Sequence, residues 1–145
     1  MHDTKHVLEI TVLGDPIAKQ RSRQGGSGHW YNPQEHLMIK VSNIIRDKLP
    51  ENHKMIEKGY PIKCIVSVFF SIPKSWTKKK IKQLQEKGEM PCLNKKDVDN
   101  IAKFYMDVMS RKNAAVYYDD NQIYSLTSDK YYTATESRVE ITIMW

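Results

Sequence analysis

Cysteine, long apolar runs and, over the first two thirds of the chain, carboxylates are all scarce here, and each shortage excludes something. Cys64 and Cys92 are the two cysteines in 145 residues. They are too few for the disulfide framework of a small secreted domain, so a reducing, cytoplasmic setting is expected. The most apolar stretch, Ile62 to Ile72, is interrupted by Lys63, Ser67 and Ser71 and falls far short of the ~20 residues a bilayer demands, so no membrane partner is expected. The first ten residues lack the charged-then-apolar layout of a secretory leader.

What remains is an ordinary globular inventory, 40% hydrophobic and 28% charged, which argues against disorder and suits one domain over residues 1–145. Net charge is +6, unevenly spread. Residues 1–96 carry 18 basic and 9 acidic side chains, whereas residues 97–145 carry 5 basic and 8 acidic. A basic body beside an acidic segment fits a protein that grips phosphates and holds a metal among carboxylates. A solvated surface of uneven charge fits the composition as well, so motifs must decide.

Alternation of Leu8, Ile10 and Val12 predicts a strand over 7–13, closed by Gly14-Asp15-Pro16. A basic, then glycine-rich excursion follows, with Gly25, Gly26 and Gly28 clustered. Asn32 as N-cap, Pro33 and Glu35 predict a helix carrying Leu37, Val41, Ile44, Ile45 and Leu49 inward, stopped by Pro50. Ile62 to Ile72 reads as a central strand, apolar on both faces. Thr77 caps a lysine-rich helix ended by Gly88, and such helices are usually solvated faces. A third helix is expected from Asp99 to Lys112, with Ile101, Phe104, Tyr105, Val108 and Met109 inward and Asn113 as C-cap. Strands over 123–128 and 138–145 complete a β-α-β-α-α-β-β order, hence an α+β domain with a mixed sheet.

Chemistry concentrates in Lys95-Lys96-Asp97-Val98-Asp99-Asn100, followed by Lys103. If Asp97 to Asp99 is extended, both carboxylates share one face and converge on a hard cation, for which oxygen is the ligand of choice. Asp99 at a helix N-terminus is favoured by the dipole, and Lys103 stands one turn up the same face. A second acidic site is Tyr118-Asp119-Asp120-Asn121-Gln122, where adjacent aspartates need a cation, a positive neighbour or exposure. Three acids from two segments are what a metal-dependent phosphodiesterase uses. A lone D-x-D also occurs in nucleotide-sugar transferases, though 145 residues leave little room for donor and acceptor halves.

The pattern K-x-D-V-D-N-x-x-K-x-x-x-D, a gap and then Y-D-D-N-Q-I resembles the RusA-type Holliday junction resolvases, small homodimeric, metal-dependent endonucleases of phages and prophages. The basic stretch Lys19, Arg21, Arg23 after the first strand and the order of elements match as well. The resemblance implies that Asp97, Asp99 and Asp120 are catalytic and hold Mg²⁺ (Mn²⁺ as a substitute), with Asp119 assisting and Lys103 either stabilising charge on the phosphate or orienting a carboxylate. It implies four-way DNA junctions as partner, a second copy of the chain, and no nucleotide cofactor. Asp107, Gln122 and Lys130 fall on the family pattern without an evident role. The chain departs from it at Arg21-Ser22-Arg23, where relatives often have proline between the arginines, and at Ala114-Ala115, where they often have a glycine.

On this reading Lys19, Arg21 and Arg23, with Lys78, Lys79, Lys80 and Lys82, bind junction arms by their phosphates. A junction- or single-strand-binding module without cleavage is the competing reading. His2, His6, His29, His36 and His53 show no zinc-ligand spacing with the cysteines. Trp30, Tyr31 and Trp76 flank basic segments and can stack on unpaired bases, but packing against the core is the commoner fate of such aromatics. The apolar face of the last strand and the aromatic-rich third helix are the expected dimer surfaces.

Overall fold

A computed structural model describes Thr4–Trp145; His2 lies outside the described residues. The elements in order are β1 (Val7–Leu13), β2 (Arg23–Gln24), β3 (Trp30–Tyr31), α1 (Glu35–Lys48), β4 (Ile62–Ser71), α2 (Lys78–Lys87), β5 (Met90–Pro91), α3 (Val98–Val108), a 3₁₀ turn (Asp120–Gln122), β6 (Ile123–Thr133) and β7 (Arg138–Met144). β1-β7-β4-β6-β5 form one mixed sheet, in which the β4–β6 pair is parallel. The remaining pairs are antiparallel. The fold is the expected single α+β domain.

β4 is central, as its apolar content predicts, but its two faces differ. Ile62, Cys64, Val66, Val68 and Phe70 are buried, while Ile65 and Phe69 opposite are half-exposed. Leu8, Ile10 and Val12 of β1 and Val139, Ile141 and Ile143 of β7 continue the buried face, packed with Val41 and Ile45 of α1 and Ile101, Phe104, Tyr105 and Val108 of α3 in one core. Each such side chain contributes roughly 1.5–3 kcal/mol on burial. The apolar face of β7 and the aromatic face of α3 are therefore consumed inside the subunit and are unavailable for a second copy. Burial also pushes the Cys64 thiol up to about 12, and both cysteines are free. Among the described residues no helix is long and apolar enough to cross a membrane.

Several element ends differ from expectation for local reasons. α1 starts at Glu35, not Asn32: the Asn32 side chain accepts from the Gln34 N–H at 2.9 Å, making a turn ahead of the helix. β6 runs on to Thr133 because β4 continues to offer it a parallel partner. α3 stops at Val108. The Asp107 carbonyl is taken by Ser110 Oγ and Asn113 Nδ2 at 2.8 and 3.0 Å, so Asn113 closes the helix by its side chain after a turn. That turn leaves Ala115 at φ 55°, a left-handed conformation free of penalty for glycine and costly for alanine. The glycine-rich excursion is not packed on the core; it forms an exposed hairpin with Arg23 opposite Tyr31 and Gln24 opposite Trp30.

Candidate active site and DNA interface

The acidic turn is built from its own backbone outward. The Asp119 carboxylate accepts from the Asn121 N–H at 3.0 Å, and the Asp119 N–H donates to Gln122 Oε1 at 2.8 Å, a reciprocal capping box around the 3₁₀ turn. The buried Gln122 amide then donates from Nε2 to the carbonyls of Glu57 and Tyr60 at 2.7 and 3.1 Å. Gln122 thus clamps the turn to the segment that leads into β4. Just upstream, Ile56 bridges Tyr117 in parallel, with the Tyr118 N–H donating to the Ile56 carbonyl.

Two half-buried carboxyls on this turn are driven apart. The Asn121 N–H, the hydrogen bond shared with Asp120 and the Arg111 guanidinium hold Asp119 below the usual carboxylate range. Desolvation, then Asp119 and Asp107 push Asp120 up, against the pull of Lys19. Arg111 Nη1 lies 3.5 Å from Asp119 Oδ2, its guanidinium over the Tyr118 ring. Beneath them the Tyr117 phenol, donating to the Met106 carbonyl, is pushed up first by burial and then also by Asp120, Asp107 and Asp119. Asp107, Asp119, Asp120 and Lys19 therefore form one electrostatic group.

The second acidic segment is placed differently from the extended pair expected. Asp97 is the N-cap of α3, with extended backbone, and Asp99 already lies in the first helical turn. Once the helix claims Val98, the two carboxylates no longer share the face of a strand. Asp99, Lys103 and Asp107 instead follow at i, i+4 and i+8 along α3, spanning about 12 Å of axis. Asp97, Asp99 and Lys103 are exposed, Asp107 half-buried. The structure brings Asp107 to Asp120; it does not gather Asp97, Asp99 and Asp120, and among the described residues no three acids or histidines close on one metal position.

Two long-range contacts fix this helix, and the sequence did not announce either. Lys130 on β6 donates from Nζ to the carbonyls of Asn94 and Lys96 at 2.7 and 2.9 Å. It holds the loop that carries Asp97, in which Lys95 adopts φ 73°. On the other flank the Lys19 N–H donates to the Asn100 carbonyl at 2.9 Å, and Lys19 Nζ pairs with Asp107 Oδ2 at 3.2 Å. The buried Gln34 accepts from the Gln20 N–H and donates to the Ala18 carbonyl. The basic segment is thereby stitched between α1 and α3. Lys19 is thus partnered inside the protein, while Arg21 and Arg23 are exposed.

Residues 14–144 match the family described as endodeoxyribonuclease RusA. The chain belongs to the RusA family. A Bacillus subtilis (strain 168) protein, YqaN, described as uncharacterized, is 34% identical over 142 residues, covering 94% of each chain. For a RusA-family chain the oxygen-only donor set of Asp97, Asp99, Asp119 and Asp120 suits a hard divalent cation. Asp120 is raised first by desolvation and then by Asp119 and Asp107, and that second part is a local excess of negative charge of the kind a cation relieves.

The lysine helix presents its charge to solvent. Thr77 Oγ1 accepts from the Lys80 N–H at 3.2 Å, and Lys78, Lys79, Lys80 and Lys82 are exposed, with no ion pair among the described residues. Leu84 alone of α2 is buried. Trp76 packs on the core edge-to-face with Tyr132 at 4.8 Å, as the commoner fate predicts, with Lys80 Nζ 4.2 Å above its ring. Trp30 and Tyr31 do not pack inward: they are 70% and 49% exposed.

Proposed function

We propose that this chain cuts four-way DNA junctions in a metal-dependent reaction, placing paired nicks as a two-fold dimer. The observation that supports the reading best is the clamped acidic turn set against α3, with the Asp99–Lys103–Asp107 stripe beside it in a RusA-family fold. Asp97, Asp99 and Asp120, with Asp119 assisting, would hold Mg²⁺ or Mn²⁺; among the described residues they do not close on one position, so their side chains would turn toward the ion to do so. Such an ion neutralises the scissile phosphate and lowers the pKa of an attacking water.

The chain's own residues do the rest. Lys103, exposed and without an ion pair among the described residues, presents its ammonium to the charge that builds on the phosphate oxygens. Arg111 keeps Asp119 ionised, and Lys19 opposes the charge crowding at Asp120. Arg21, Arg23 and the α2 lysines hold the backbone by phosphate contacts, which give affinity and no sequence readout. Two like-polarity nicks require two identical sites, which a two-fold axis supplies. With the helices covering one sheet face, the other face, carrying Ile65, Phe69 and Tyr131, is the surface left for a second copy.

A synthetic mobile four-way junction, a duplex and a flap, each with and without Mg²⁺, test the proposal. Symmetric nicks on the junction alone, lost in Asp97→Asn, Asp99→Asn and Asp120→Asn while junction binding persists, are expected. An amide keeps the shape and loses the charge that holds the ion. Binding without nicks under every metal would establish the non-cleaving module instead.

A further inference from the structure

We infer that the β2–β3 hairpin is a stacking wedge that takes an unstacked base at the branch point of the DNA. The inference rests on the junction reading above. From Ile17 to Tyr31 the chain carries Lys19, Arg21 and Arg23 and not one carboxylate, a charge pattern complementary to a polyanion. At the end of that stretch Trp30 and Tyr31 occupy successive positions of β3, so their side chains stand on opposite faces of the ribbon. Tyr31 lies across the bare backbone of Gly25, its ring carbons 3.8 Å from where a Cβ would stand. Trp30 has no aromatic partner among the described residues and is 70% exposed. An aromatic on each face, with Arg23 directly across the ribbon from Tyr31, is the combination of π-surface and cation that single-strand binders offer to bases.

The ribbon is also anchored where such a wedge needs to be. Its root is bonded to the carbonyl of Asn100 and to Asp107 through Lys19, and to Gln34 through Ala18 and Gln20. α3, which receives two of those bonds, is the helix that carries Asp99 and Lys103. A base held on the hairpin therefore fixes the strand next to it relative to the acids. Paired duplex offers no free base face to the wedge, whereas a branch point does. The hairpin thereby distinguishes branched from unbranched DNA, while the phosphate contacts do not.

The test uses the full chain with Ca²⁺ in place of Mg²⁺ and two probes: a four-way junction and a matched duplex, each with 2-aminopurine at its centre. Trp30→Ala should lose about tenfold in junction affinity, at the lower end of what base stacking contributes, and less than twofold on the duplex. The change in 2-aminopurine fluorescence that wild type causes at the branch should vanish in Trp30→Ala and persist in Trp30→Phe. Because the indole is exposed, the melting temperature should be unchanged, which separates a binding loss from a folding loss. If wild type binds the junction in Ca²⁺ and nicks it in Mg²⁺, and Trp30→Ala keeps the same affinity and fluorescence change, or loses equally on both probes, the wedge is overturned and the nuclease reading stands. If wild type neither binds nor nicks the junction, the nuclease reading fails and the wedge with it.

Discussion

Replacing Gln122 by methionine keeps the length of the side chain and deletes its polar end, which makes it a clean perturbation of the acidic turn. Three hydrogen bonds go: the Asp119 N–H loses its acceptor, and the carbonyls of Glu57 and Tyr60 lose their donor. An intramolecular hydrogen bond contributes about 0.5–1.5 kcal/mol net. Three such bonds give about 1.5–4.5 kcal/mol; Glu57 and Tyr60 are exposed residues whose carbonyls regain water, so the total falls in the lower half of that span, about 2 kcal/mol. For a domain of this size that lowers Tm by about 4–8 °C. Thermal unfolding followed by circular dichroism reads the loss directly. The turn also carries Asp119 and Asp120, so nicking of a four-way junction in Mg²⁺ should fall about tenfold or more, because small displacements of positioned groups are expensive in rate. Gln122→Glu refines the point. It retains an acceptor for the Asp119 N–H, loses the donor, and adds negative charge beside two aspartates; its loss of stability should exceed that of methionine at pH 7 and shrink as pH falls through the carboxylate range. A Tm within 1 °C of wild type and undiminished nicking in Gln122→Met would refute the clamp.

The two aspartates of the turn should respond to pH with opposite signs in metal-free protein. Asp120 is raised, so its charge opposes folding above the carboxylate range; Asp120→Asn should raise Tm at pH 7 by ~1–2 °C, and the gain should vanish as acid protonates the wild-type carboxyl. Asp119 is lowered, so Asp119→Asn should reduce Tm at pH 7, and that loss should vanish as pH falls through the wild-type value; the same sign for both variants in a melting series in EDTA would contradict the environments described. Arg21→Ala with Arg23→Ala should reduce the slope of log K against log salt by about 1.8, two phosphates' worth, and adding Lys19→Ala should change it little because Asp107 already holds that ammonium; a titration showing a third full step would mean that Lys19 leaves Asp107 for DNA. Ala115→Gly should raise Tm by about 1–4 °C, relief of left-handed strain less glycine's added chain entropy, in a simple melting comparison; a fall would show that the Ala115 methyl packs more tightly than its backbone suffers.

What the sequence disclosed and what it withheld divide along physical lines. The apolar pattern placed β1, β4, β7 and the buried stripe of α3, because burial on one face writes itself into a single stretch of chain; α2, with Leu84 alone buried, was bounded by its Thr77 cap and Gly88 stop. The acidic residues were legible as motifs, and the turn at 118–122 was recognisable by its adjacent aspartates. Their arrangement was not legible. Whether Asp97 and Asp99 share a face depends on where α3 begins, and the loop that leads into it is held by Lys130, more than thirty residues on, through the carbonyls of Asn94 and Lys96. Gln122 and Gln34 are likewise polar residues whose work is done on backbone groups distant in sequence, and no local pattern marks such residues as buried. The exposure of Trp30 and Tyr31 was misjudged for the converse reason: aromatic content predicts burial on average, but a two-residue ribbon closed by a glycine-rich turn offers no second layer to bury them against. Motifs locate the acids in the chain. Side-chain to backbone clamps, which leave no periodic trace, determine where those acids stand.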